Sequence, residues 1–104
     1  MSTPSGPAGG QTFIVVGVLR DGTNPADLAA LRADEHQQLD ALVSAGRVGF
    51  HHVAHARGTV FLEVIADSEA QAQETLATLP FAQFFDPDIY AITAAPRGSS
   101  PSQP

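Results

Sequence analysis

Cysteine is absent from this chain of 104 residues. That excludes disulfides and thiolate chemistry, and it suits a cytosolic protein without requiring one. Basic residues are scarce: Lys and Arg together number 5 against 11 Asp and Glu, for a net charge of −6. Binding a phosphate backbone takes many cations, so nucleic acid is not an expected partner, and the acidity reads as a solubility feature. No apolar run approaches the roughly 20 residues that span a bilayer. No basic stretch leads into an apolar one as in a secretory signal. The expectation is a cytoplasmic protein with no membrane partner. The established metal-ligand spacings are missing too. At ~3.3 Å rise per residue, His51 and His55 stand some ~13 Å apart along an extended chain, and His51 and His52 point apart. No metal and no cofactor are expected.

What is present is the makings of one globular domain, with 43% apolar residues and enough length for a single hydrophobic core. Residues 1–11 and 97–104, rich in Ser, Pro and Gly, read as disordered tails around a domain at 12–96. Thr12–Leu19 is a β-branched apolar run, predicted to be a central strand buried on both faces. Gly17 within it points to close backbone approach, a bulge, or room for a ligand. Asn24-Pro25 is a helix start, with Asn as the N-cap and Pro at the first helical position. The helix is expected from Pro25 to about Ala45, closed by Gly46. A second strand is expected at Arg47–Ala56 and a third at Thr59–Ile65, joined by a tight turn at Arg57-Gly58. A second helix at Ser68–Thr78 is capped by Asp67 or Ser68, with Ala72, Leu76 and Leu79 on its apolar side. Phe81–Pro87 reads as a loop and Asp88–Ala94 as the last strand.

The order βαββαβ predicts an α+β, ferredoxin-like fold, with four antiparallel strands and both helices on one face. If Val60, Leu62 and Val64 face the helices, then Phe13, Val15, Phe61 and Ile65 are expected on the other, open face. So much exposed apolar surface implies a homodimer or higher homo-oligomer joined sheet to sheet.

On the first helix, at ~100° per residue, Leu28, Leu31, Leu39 and Leu42 form one stripe. Glu35 falls near its middle and His36 on its edge. A carboxylate there is costly unless it is paired or lines a cavity. Burial would raise its pKa into the range of a general acid/base. The bland alternative is a partly exposed Glu35 that swings past the core edge or pairs with Arg32. In the second strand, His51, Val53 and His55 alternate with Phe50, His52 and Ala54. A two-residue turn at Arg57-Gly58 places His52 opposite Glu63, with His51 and His55 facing the helices beside Glu35. A one-residue bulge reverses this.

The segment GRVGFHHVAHARGTVFLEVIADSEAQAQETLATLPF, the closing DIYAIT and the element order resemble the dimeric α/β-barrel superfamily. The muconolactone-isomerase-like proteins are the nearest and the YCII-related domains second. The resemblance runs from about Phe13 to Pro96 and is most specific over Ser68–Pro80. It implies a barrel built from two sheets and cofactor-free acid–base chemistry on a small lactone. The family's helix-1 glutamate falls on Glu35. On the second strand, Gly49, Phe50, His51, His52 and Val53 depart from the bulky aromatic and basic residues usual in the isomerases.

The expected activity is therefore a cofactor-independent isomerisation of a small unsaturated lactone or related carbonyl compound. Glu35 would move the proton, and His51 or His52 would polarise the carbonyl or stabilise the dienolate. His36, His55, Phe81, Phe85 and Tyr90 are the expected substrate-binding residues, with Phe84 beside them. Polyketide-type cyclases and cofactor-free oxygenases of the same superfamily are the alternatives, as is a non-catalytic dimeric small-molecule-binding module. An open, polar pocket at Glu35 would favour an enzyme; one filled by Phe81–Phe85 would favour the module.

Overall fold

The computed structural model describes residues 10–93. The expected tails, Gly10 and Gln11 apart, lie outside them. The elements are β1 (Gln11–Leu19), α1 (Pro25–Ser44), β2 (Val48–Ala54), β3 (Thr59–Ala66), α2 (Glu69–Ala77) and β4 (Phe85–Ile92). The fold is α+β and ferredoxin-like, with one antiparallel sheet in the order β2-β3-β1-β4. No helix among the described residues is long and apolar enough to cross a membrane.

Local chemistry sets the ends of the helices. The Asn24 side chain accepts from Ala26 N at 2.9 Å, and Pro25 follows where a missing N–H costs nothing. At the other end Gly46 has φ +76°, Gly46 N donates to Val43 O and Arg47 N to Leu42 O. This is a Schellman closure, satisfying carbonyls the helix leaves unpaired. Ser68 caps α2 by accepting from Gln71 N at 3.1 Å, while Gln71 Oε1 accepts from Asp67 N at 2.7 Å.

The core lies between the sheet and the helices. It comprises Phe13, Val15, Leu42, Val48, Leu62, Val64, Ala66, Ala72 and Leu79. This corrects the expectation for Phe13 and Val15. Phe13 stands opposite Val64 and Val15 opposite Leu62, and residues directly opposed in an antiparallel pair share a face. Both therefore point toward the helices, and the open face of β1 carries Ile14, Val16 and Val18 instead. Alternation could not choose between them, because β1 is apolar at odd and even positions alike. Phe61 and Ile65 do lie on the open face, with Tyr90 and Ile92 of β4 alongside.

Two other local expectations change. Arg57-Gly58 is not a two-residue turn: His55–Arg57 forms a 3-10 turn closed by Gly58 at φ +56°, and the last β2–β3 pair is Ala54↔Thr59. His52 consequently opposes Phe61 rather than Glu63. This shift of two residues preserves the side-chain parity, so His51 still faces the helices. A bulge occurs further along, where Gly49 and Phe50 intervene between the pairs Val48↔Val64 and His51↔Leu62. Phe81–Pro87 is not a plain loop either. Pro80–Phe84 is a 3-10 segment, and β4 begins at Phe85.

Candidate active site

Helix α1 stands off the sheet. Leu42 is its one buried residue, while Leu28, Leu31, Glu35 and Leu39 are half-buried. The space beneath them is a cleft of about 570 Å³, a size suited to a small organic ligand. Leu28, Arg32, Glu35, His36, Leu39 and Asp40 form its helical wall. The sheet side contributes Val15, Gly17, Val60 and Leu62, and the strand-two segment adds His51, Val53 and His55. Phe81, Ala82, Phe85 and Pro87 close the remaining side. A shallower hollow of about 350 Å³ between α2 and β4 holds none of the sequence-predicted site residues.

Glu35 is fixed in the cleft by a backbone donor. Its Oε1 accepts from Phe81 N at 2.9 Å. That N–H lies in the first turn of the 3-10 segment, just after Pro80, where a helical donor has no partner within its own segment. Burial pushes the Glu35 carboxyl above its ordinary value, and the Phe81 N–H and His36 pull it part of the way back. Arg32 is not its partner: Arg20–Asp86 is the ion pair found among the described residues.

The structure brings together Glu35, His36, His51, His55, Phe81 and Phe85 along this cleft. His52 borders it as well, but its ring stacks on Phe50 at a centroid distance of 5.4 Å. The register pairs His52 with Phe61 on the open sheet face, opposite to His51. Tyr90 does not reach the cleft. It pairs with Ile14 on the open face and is 54% exposed, which corrects its assignment as a substrate-binding residue. Phe84 packs edge-on against Phe81 at 6.2 Å and does not line the cleft. The aromatic cluster therefore borders the opening without filling it.

Among the described residues, no three of His, Cys, Asp and Glu gather into a metal-binding group. Sequence reasoning missed the Phe81 N–H as the partner of Glu35. Pro80 was the available signal, because proline at the first position of a helical turn leaves the next N–H free.

The combination is a positioned carboxylate with a raised pKa, in an apolar-floored cleft, facing a strand that carries imidazoles. Chemically it can hold an apolar carbonyl compound and exchange a proton with it. No family model matches the chain, and no curated protein matches it.

Proposed function

We propose that this protein is a cofactor-independent isomerase that moves a C=C bond into or out of conjugation with the carbonyl of a small unsaturated lactone or related compound. The observation that carries the reading is the Glu35 carboxylate, held at 2.9 Å by the Phe81 N–H and open to the cleft. In this mechanism Glu35 takes a proton from the carbon α or γ to the carbonyl, producing a dienolate. The protonated carboxyl then returns the proton to the other end of the conjugated system, on the same face. The charge developing on the carbonyl oxygen needs a donor, and His51 on the opposite wall supplies it, with His55 and His36 also lining the cleft. The raised pKa of Glu35 suits both halves of the cycle, since the carboxylate must accept and then release one proton.

The resemblance to the muconolactone-isomerase-like proteins supports the same reading through Glu35. It also supports a homodimer in which two open sheet faces meet. On this chain that face presents Ile14, Val16, Val18, Phe61, Ile65, Tyr90 and Ile92, an apolar area that water disfavours.

The test is turnover and solvent-deuterium exchange on a panel of unsaturated lactones. Wild type is expected to exchange the α- or γ-hydrogen and to shift the double bond, and Glu35→Gln to do neither at a comparable rate. Absence of exchange on every lactone in wild type would overturn the reading.

A further inference from the structure

One wall of the cleft is built around a missing side chain. Gly17 of β1 lies between Val60 of β3 and Pro87 of β4 in the ladder. A β-carbon at Gly17 would sit 3.1 Å from Val60 Cγ2, 3.4 Å from Phe85 Cβ and 3.6 Å from Phe85 Cδ2. The first of these is tighter than ordinary packing and the other two are ordinary contact, so the glycine spares Val60 a tight approach and leaves the Phe85 side chain beside bare β1 backbone.

The chain around that ring is tied to Arg20 by two backbone carbonyls on one side and an exposed carboxylate on the other. Phe84 O accepts from Arg20 N at 2.9 Å, Asp86 Oδ1 accepts from Arg20 Nε at 2.8 Å, and Gln83 O accepts from Arg20 Nη1 at 3.0 Å. Gly17, Val60 and Phe85 all line the cleft.

We propose that Phe85, seated on Gly17, is the specificity-determining end wall of the cleft. It restricts the apolar part of the ligand to a ring with a short substituent and excludes long alkyl chains. The inference rests on reading this cleft as the substrate site, and it adds the shape of the substrate that the site accepts.

The experiment measures binding to the full chain by titration calorimetry with two series of probes. The first is butenolides bearing methyl, butyl or octyl substituents. The second is straight-chain methyl ketones of matched length, which have no ring. In wild type, affinity is expected to fall by about ten-fold or more between butyl and octyl. In Phe85→Ala that fall should vanish or reverse, because each methylene that gains burial contributes roughly four-fold. Phe85→Leu should be intermediate, and Gly17→Ala should move the limit toward methyl. Melting curves identify any variant that fails to fold, and Phe85→Leu carries the test if Phe85→Ala does.

The same length dependence in wild type, Phe85→Leu and Gly17→Ala would overturn the proposal, as would a failure of both series to bind. A Phe85-dependent limit in the ketones with no binding of butenolides would support the end wall and overturn the lactone reading. Butenolides that turn over with no limit moved by Phe85 would do the reverse.

Discussion

Glu35 is held between opposing effects. Desolvation favours its neutral form, while the Phe81 N–H and His36 favour the carboxylate, and desolvation is the largest. Glu35→Gln keeps an oxygen that can accept from Phe81 N and removes the charge, so the variant is expected to fold. On the proposed mechanism it should lose proton transfer by a factor of about 10² to 10⁴, read as turnover on unsaturated lactones. A variant as active as wild type would remove Glu35 from the mechanism. The same residue predicts a pH dependence of stability. Its pKa is raised in the folded state, so the native protein binds more protons than the unfolded chain between the ordinary and the raised values. Its favourable contribution is complete below the ordinary glutamate pKa and is lost as pH rises through the folded one. Denaturant titrations of wild type and Glu35→Gln across that window should therefore converge at its acidic end. At its alkaline end the variant should be relatively more stable. A difference that grows toward acid would contradict the assignment.

Among the elements, β2 shows how one contact shapes a strand. The bulge at Gly49 and Phe50 leaves Phe50 N without a ladder partner, and Glu63 Oε1 accepts from it at 3.2 Å. A β-carbon at Gly49 would overlap that carboxylate. Gly49→Ala should thus displace Glu63 and cost about 1 kcal/mol, the worth of one hydrogen bond. In a Glu63→Ala background the same substitution should be neutral or slightly stabilising, since alanine lowers the entropy of the unfolded chain. A double-mutant cycle by denaturant melts checks the coupling; additive effects would mean that Glu63 and Gly49 are not coupled. For α1, Asn24→Ala removes the cap on Ala26 N and should cost about 1 kcal/mol. The rest of α1 is tied chiefly near its C-terminal half, through Leu42, Gln38 Nε2 to Thr78 Oγ1 at 2.9 Å, and Glu35 to Phe81. The cleft lies beneath the middle of the helix, from Leu28 to Asp40.

On the scale of the whole molecule the two faces of the sheet differ in kind. One is covered by helices over part of its area and holds the cleft. The other presents Val18, Phe61, Tyr90 and Ile92, each at least 37% exposed, and is the face proposed for the homodimer. Phe61→Asp places a charge within that face and should shift sedimentation from dimer toward monomer, with the secondary structure by circular dichroism unchanged. A wild-type protein that sediments as a monomer at micromolar concentration would sink the dimer.

The sequence by itself determined what depends on neighbours along the chain. Asn24-Pro25, Gly46 and Ser68 mark the helix ends through their own hydrogen-bonding and conformational preferences. The leucine stripe around Glu35 follows from helical geometry, and the βαββαβ order from the spacing of apolar runs. Tertiary structure decided what depends on pairing between distant segments. Strand register sent Phe13 and Val15 to the core and Tyr90 to the open face, because β1 is apolar on both sides and alternation has nothing to choose by. The 3-10 turn at His55–Arg57 replaced the tight turn and moved His52 from Glu63 to Phe61, yet kept His51 toward the helices because the shift was even. The partner of Glu35 was also decided there. Pro80 marks the Phe81 N–H as free, but nothing along the chain ties it to a carboxylate more than 40 residues away, and only the packing of the 3-10 segment against α1 brings the two together.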